Sequence, residues 1–200
     1  MKPTEILSRE HRIIEQVLDC LETMAQQSTA HGQFDEISAR QAIDFFRNFA
    51  DRCHHGKEET HLFPAMEARG FPRQGGPTGV MLHEHELGRA HIRGMSDAIE
   101  GAANGDNEDI KRFTTHAHGY VDLLRQHIEK EDHCLFAMAD QTLSEHDQQS
   151  LLMAFERVEN EDIPSGTHEK YLRLADDLAE RFGVTPTDCS VARVCNCHHG

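Results

Sequence analysis

Two short segments of this 200-residue chain repeat one reactive pattern. In Cys53-His54-His55-Gly56-Lys57-Glu58-Glu59-Thr60-His61-Leu62-Phe63-Pro64, a histidine precedes a glutamate by four residues, twice in overlapping register. His61 follows His54 by one heptad. On a helix, His54, Glu58 and His61 share one face. The second segment runs His127-Ile128-Glu129-Lys130-Glu131-Asp132-His133-Cys134-Leu135-Phe136. Setting His54 against His127 aligns Glu58 with Glu131 and Leu62-Phe63 with Leu135-Phe136. This likeness predicts two helix pairs meeting at one pseudo-symmetric centre. Imidazoles and carboxylates buried together need either a metal or a complete set of hydrogen-bond partners.

The elements that carry these segments follow from apolar spacing. Leu7, His11, Ile14, Leu18, Leu21 and Ala25 recur at three and four, predicting a helix over 4–27 with His11 inside its buried stripe. A second helix over 35–67 places Ile43, Phe46, Ala50, His54, Glu58, His61 and Ala65 inward, with weak helix former Gly56 in its course and Pro64 near its end. Residues 70–79 read as a loop, lacking the order of a phosphate-binding loop. A third helix over 80–103 carries Met81, His85, Gly88, Ile92, Met95 and Ile99 inward. His83 and His91 fall at the edge of that stripe. A fourth helix starts with Asp106 as N-cap and reaches about residue 139, with Phe113, Tyr120, Leu124, His127, Glu131, Leu135 and Met138 inward. Ser144 opens a short helix with a capping-box-like start. Ser165 caps another, with Tyr171, Leu174, Ala175, Leu178 and Phe182 as its stripe.

The inward polar residues are therefore His11, His54, Glu58, His85, His127 and Glu131, with at least one from each of four helices. Each replaces a residue that would otherwise build the core. Imidazole mixed with carboxylate and without thiolate favours iron, with manganese and zinc as alternatives. Two carboxylates among four histidines suit a pair of ions. The competing reading is a buried His–Glu hydrogen-bond network without metal.

Composition limits the rest. A net charge of −15 argues against nucleic-acid and anionic-membrane surfaces. No apolar run approaches the ~20 residues of a membrane span. Charged residues from Glu5 to Arg12 interrupt any leader-like start. The six cysteines divide into Cys20, Cys53 and Cys134 in the body and Cys189, Cys195 and Cys197 near the end, which is no disulfide framework. A reducing cytoplasm is the expected compartment.

The order His … His-x-x-x-Glu … His … His-x-x-x-Glu, with Glu58-Glu59-x-x-Leu62-Phe63-Pro64 and Glu84-His85-Glu86, resembles the hemerythrin-like (HHE cation-binding) domains over about residues 4–139. The resemblance implies an all-α, up-down-up-down four-helix bundle around two iron ions joined by an oxo or hydroxo bridge. His11, His54, His85 and His127 would be terminal ligands, and Glu58 and Glu131 would bridge. Oxygen-carrying hemerythrins have His-x-x-x-His on the third helix and His-x-x-x-x-Asp on the fourth. Here Met81 and Arg89 stand four residues either side of His85, and the fourth helix has His-x-x-x-Glu, so one imidazole is missing. His61 is the first substitute, as a ligand or as a group just outside the ligands. Tyr120 is the next, with Glu59 and His116 behind.

The expected organisation is a bundle over 1–140, supporting helices over 141–183 and a Cys- and His-bearing tail over 184–200. The expected function is binding of, or reaction with, O2, peroxide or NO in stress response or sensing. If the chain is an enzyme, it is a di-iron oxidoreductase of peroxidase-like or NO-reducing type. A non-enzymatic iron or oxygen sensor is one alternative. Iron storage, or donation to damaged iron–sulfur proteins, is the other. There Cys189, Cys195, Cys197, His198 and His199 would meet a redox or iron-acceptor protein, whereas their spacing alone favours a plain, flexible thiol-bearing tail.

Overall fold

A computed structural model of the protein describes residues 1–159 and 166–187. Among them there is no strand. Helix α1 (Pro3–His31) ends at Gly32, whose φ of 63° permits the left-handed turn in which its N–H bonds to Ser28. A continuous rod over 36–68 follows, built from α2 (Glu36–Phe45), π-helical segments Phe46–His55 and Glu58–Leu62, and α3 (Phe63–Ala68). Helix α4 (Pro77–Ala103) starts earlier than apolar spacing suggested, because Pro77 occupies its first turn, where a missing N–H costs nothing. The fourth rod covers 107–142: α5 (Asn107–Lys130), π-helical Glu131–Leu135 and α6 (Phe136–Thr142). Asp106 caps α5 by accepting from the N–H groups of Glu108 and Asp109.

Contacts between rods fix their directions. Lys2 meets Asp140 at 2.8 Å and Arg125 meets Asp19 at 2.6 Å, so α1 runs antiparallel to the fourth rod. Arg112 reaches the Asp97 carbonyl at 3.0 Å and His127 reaches Glu84 at 2.9 Å, which sets α4 antiparallel to α5. His85–Glu59 and Arg89–Asp51 do the same for α4 and the second rod. The result is an all-α bundle of the expected hemerythrin type.

The core is divided. Leu18, Leu21, Phe45, Phe46, Phe49, Met95 and Phe113 fill one end. Leu7, Leu62, Phe63, Met66, Leu135, Phe136 and Phe155 fill the other. His11, His54, Glu58, His85, His127 and Glu131 lie in a buried layer within the bundle. Burying apolar side chains on either side contributes roughly 1.5–3 kcal/mol each, which offsets the cost of that layer.

Helix α7 (Glu145–Arg157) starts with a full capping box, Ser144 with Asp147, and packs Leu151 and Phe155 onto the second apolar cluster. Helix α8 (Thr167–Phe182) adds Tyr171, Leu172, Ala175 and Leu178 to the first. Ser165 and the residues Cys189, Cys195, Cys197, His198 and His199 lie outside the described residues. No helix among the described residues is long and apolar enough to cross a membrane.

Candidate metal centre

The backbone prepares the site before any side chain does. In a π-helical turn the N–H bonds to the carbonyl five residues back, so each turn holds an extra residue and neighbouring side chains are fanned less widely. Gly56 N–H bonds to Asp51 in this way, Phe63 N–H to Glu58 and Phe136 N–H to Glu131. The segments Glu58–Leu62 and Glu131–Leu135 occupy the two positions that the internal likeness aligns. The repetition in sequence is therefore also a repetition of backbone shape.

The π-helical segment Phe46–His55 turns both His54 and His55 into the interior, each buried. His55 is the residue that sequence reasoning missed. His55, Glu58, His85 and His127 form one group whose ligand atoms lie within 4.8 Å of one another; His11, His54, Glu58 and Glu131 form a second. Glu58 belongs to both. All six residues expected inside the bundle are brought together, and His55 joins them.

The other candidates are placed elsewhere. His61 turns towards α7, with its ring 6.5 Å from that of Phe155, and belongs to neither group. Of the two roles open to it, this placement favours a group outside the ligands: the turn is wider than 3.6 residues, so a heptad does not return to the same face. Tyr120 packs edge-on against Phe46 at 4.8 Å. Glu59 accepts from His85 at 2.7 Å and also pairs with Arg89. His116 pairs with His91, away from the centre.

Each of the five inward imidazoles has its Nδ1 on a carboxylate. The partners are Asp132 for His11 at 2.9 Å, Glu10 for His54 at 2.9 Å, Asp51 for His55 at 3.4 Å, Glu59 for His85 at 2.7 Å and Glu84 for His127 at 2.9 Å. Each carboxylate is held in turn by a cation: Arg12 on Asp132, Lys57 on Glu10, Arg89 on both Asp51 and Glu59, and Lys130 on Glu84. An Nδ1–H committed to a carboxylate leaves the Nε2 lone pair facing inward, the arrangement of metal-binding histidines.

The repeat extends through these layers. His11 and His85 each follow a glutamate, Glu10 and Glu84, that serves the histidine of the next rod. Lys57 and Lys130 each hold that glutamate. Glu59 and Asp132 follow Glu58 and Glu131, and each serves the histidine of the other hairpin's first helix. His55 breaks the symmetry, since its counterpart is Ile128, buried and apolar.

The interior has acceptors facing acceptors. His85 Nε2 and His127 Nε2 stand 3.1 Å apart, although both Nδ1 protons are committed outward. His11 Nε2 and His127 Nε2 face Glu131 at 3.2 and 3.3 Å, and His85 Nε2 faces Glu58 at 3.6 Å. Both carboxylate oxygens of Glu58, both of Glu131 and Nε2 of His11 are buried without a hydrogen-bond partner among the described residues. Unpaired buried acceptors are costly, and a shared cation satisfies all of them at once. The residues therefore fit a metal.

Ionisation follows the same layout. Burial, then the adjacent Glu131 carboxylate, push Glu58 well above the usual carboxylate range. Burial opposes the charge on Glu131 too, yet His127 and His11 hold it down to about 2. Burial pushes His54 down to about 4, against the pull of Glu10. Burial and the surrounding imidazoles push His85 down as well. His11 is raised to about 9 in spite of burial, because the Asp132 and Glu131 carboxylates stand beside it. Neutral imidazole is the form that binds metal, so a metal ion would displace a proton at His11. Cys53 belongs to neither ligand group, and burial pushes its thiol up to about 12.

A cavity of about 170 Å³ reaches His55 and His85 from one side, walled by Phe46, Gly88, Ile92 and Tyr120, with Arg47, Arg89 and Arg93 also in its lining. Two residues after His55, Lys57 is fully buried between Glu10 and Glu159, 5.7 Å above the Phe155 ring of α7.

Comparison with known proteins agrees with this geometry. The sequence model of the hemerythrin HHE cation-binding domain matches residues 2–139. Two curated relatives, uncharacterized protein Rv1995 of Mycobacterium tuberculosis and uncharacterized protein Mb2018 of Mycobacterium bovis, are each 21% identical over 180 residues. That covers 90% of this chain and 70% of theirs. No solved structure matches.

Proposed function

The chain belongs to the hemerythrin HHE cation-binding domain family, and from that premise we propose that it is a non-haem di-iron protein that binds or reacts with O2, peroxide or NO. Oxidative or nitrosative stress response, or sensing of these molecules, is the role this gives it. The observation that carries the reading is the set of buried acceptors without donors, above all the four oxygens of Glu58 and Glu131. His55, His85 and His127 would hold one ion, His11 and His54 the other, and the two glutamates would span them. Imidazole with carboxylate favours iron, with manganese and zinc as competitors.

Bound iron would supply the change of oxidation state that reaction with O2, peroxide or NO needs. The chain's own contribution is positioning and exclusion. The carboxylates on Nδ1 fix ring orientation and tautomer. Phe63, Leu62, Leu135 and Phe136 keep water from one end of the layer. The cavity beside His55 and His85 has room for a small ligand, and Tyr120 keeps its proton there because burial pushes its hydroxyl up.

A second reading, a sensor without turnover, is favoured by the same unpaired charges: metal binding adds directly to folding free energy when its ligands are otherwise unsatisfied. One experiment separates the readings: metal content and optical spectrum of the isolated protein before and after O2, peroxide and NO. Iron near two per chain with peroxide turnover by the reduced protein supports an oxidoreductase. Spectral change without turnover, with unfolding cooperativity lost on chelation, supports the sensor. A chain that takes up no iron defeats both.

A further inference from the structure

Helices α4 and α5 meet at a second histidine pair, outside the central cluster. His91 Nδ1 and His116 Nδ1 stand 3.3 Å apart, with ring planes 71° from parallel and both side chains half-buried. Each ring lies over a glycine of the opposite helix. A Cβ on Gly119 would fall 2.4 Å from His91, and one on Gly94 would fall 2.3 Å from His116. Both glycines sit in helix interiors, where glycine is unfavourable, and both leave space that a ring occupies. The sequence gives no apolar reason for two histidines here, since position 91 lies at the edge of the α4 stripe.

We propose that His91 and His116 form a separate site for a borderline divalent transition ion such as Zn2+, with solvent completing the coordination. Two imidazole nitrogens on one tetrahedral zinc, each at about 2.0–2.1 Å, stand about 3.3 Å from one another. That is the separation the rings already have. Burial and His116 also push the His91 imidazole down, towards the neutral form that binds metal. Imidazole is a ligand for zinc, copper and nickel, whereas a hard cation such as Mg2+ takes oxygen. Only two protein groups contribute, so this site is weaker than the central one and open to exchange.

The test is equilibrium dialysis of the 200-residue chain against Zn2+, after anaerobic incubation with Fe2+, counting total iron plus zinc per chain. Wild type is expected to hold one ion more than His91→Ala and one more than His116→Ala. Gly119→Ala, which displaces the His91 ring while keeping both histidines, should also lose that ion. The central count, read from the two histidine variants, stays as in wild type. A wild-type chain holding no more metal than His91→Ala and His116→Ala overturns the proposal and leaves the rings as a hydrogen-bonded packing pair. The difference of one ion persists even if the central cluster binds nothing, so the two readings fail separately.

Discussion

Glu10 accepts a hydrogen bond from His54 Nδ1 at 2.9 Å, and that contact decides which nitrogen of His54 faces the interior. Glu10→Gln keeps the side chain's shape but removes the charge that fixes the tautomer. Metal affinity is expected to fall about 10- to 100-fold, the usual effect of losing such a partner. Competition with a chelator of known affinity measures it.

Glu58 belongs to both ligand groups, and Glu131 has both oxygens without a donor. Replacing either by Ala should lower bound iron below two per chain, by elemental analysis of protein reconstituted in excess Fe2+. Full occupancy in either variant would remove the bridging assignment.

His55 and His61 give opposite expectations. His55→Ala should reduce metal content and alter the spectrum, because His55 lies with His85 and His127. His61→Ala should leave content unchanged, because that ring faces Phe155. The reverse outcome would restore His61 as the ligand.

Lys57 is fully buried between two carboxylates. Lys57→Met leaves Glu10 and Glu159 without their cation and is expected to destabilise the chain by about 3–5 kcal/mol, the cost of breaking a buried pair from one side. Urea unfolding of the metal-free protein is the measurement. A shift below about 1 kcal/mol would show that the three groups are not coupled.

The metal-free chain should be most stable near neutral pH. His54 titrates at about 4 when folded, against 6.5 unfolded, so the unfolded chain takes up its proton first. Its contribution is complete above 6.5 and is lost as pH falls through about 4. His11 is raised to about 9, so its contribution is complete below 6.5 and is lost as pH rises through about 9. Urea midpoints across pH 4–9 should form a dome, with the acid limb reduced in His54→Gln and the alkaline limb in His11→Gln.

The bundle was legible because its four stripes keep a helical period, and six buried polar residues were legible because each interrupts a stripe. His55 was not, for a geometric reason. On a 3.6-residue turn it sits about 100° from His54 and faces away. Nothing in local composition announces the wider turn, but the repeat carries a signal. Aligned with His127-Ile128, position 55 falls opposite an apolar residue that is buried. Likewise, Glu10, Glu84 and Asp132 look like surface acids on a helical wheel. Only their neighbours His11, His85 and Glu131 show that such positions border the buried layer.

The two lysines that complete the repeat have different surroundings. Lys130 is 42% exposed at its side chain, whereas α7 seals Lys57 completely. A cavity leads to His55 and His85, and no residue of α7 lines it. A cradle with near-equal halves thus has unequal doors, and its two positions would fill and empty at different rates. During assembly in a limited metal supply, or under slow chelation, the chain would pass through a singly loaded state of defined identity.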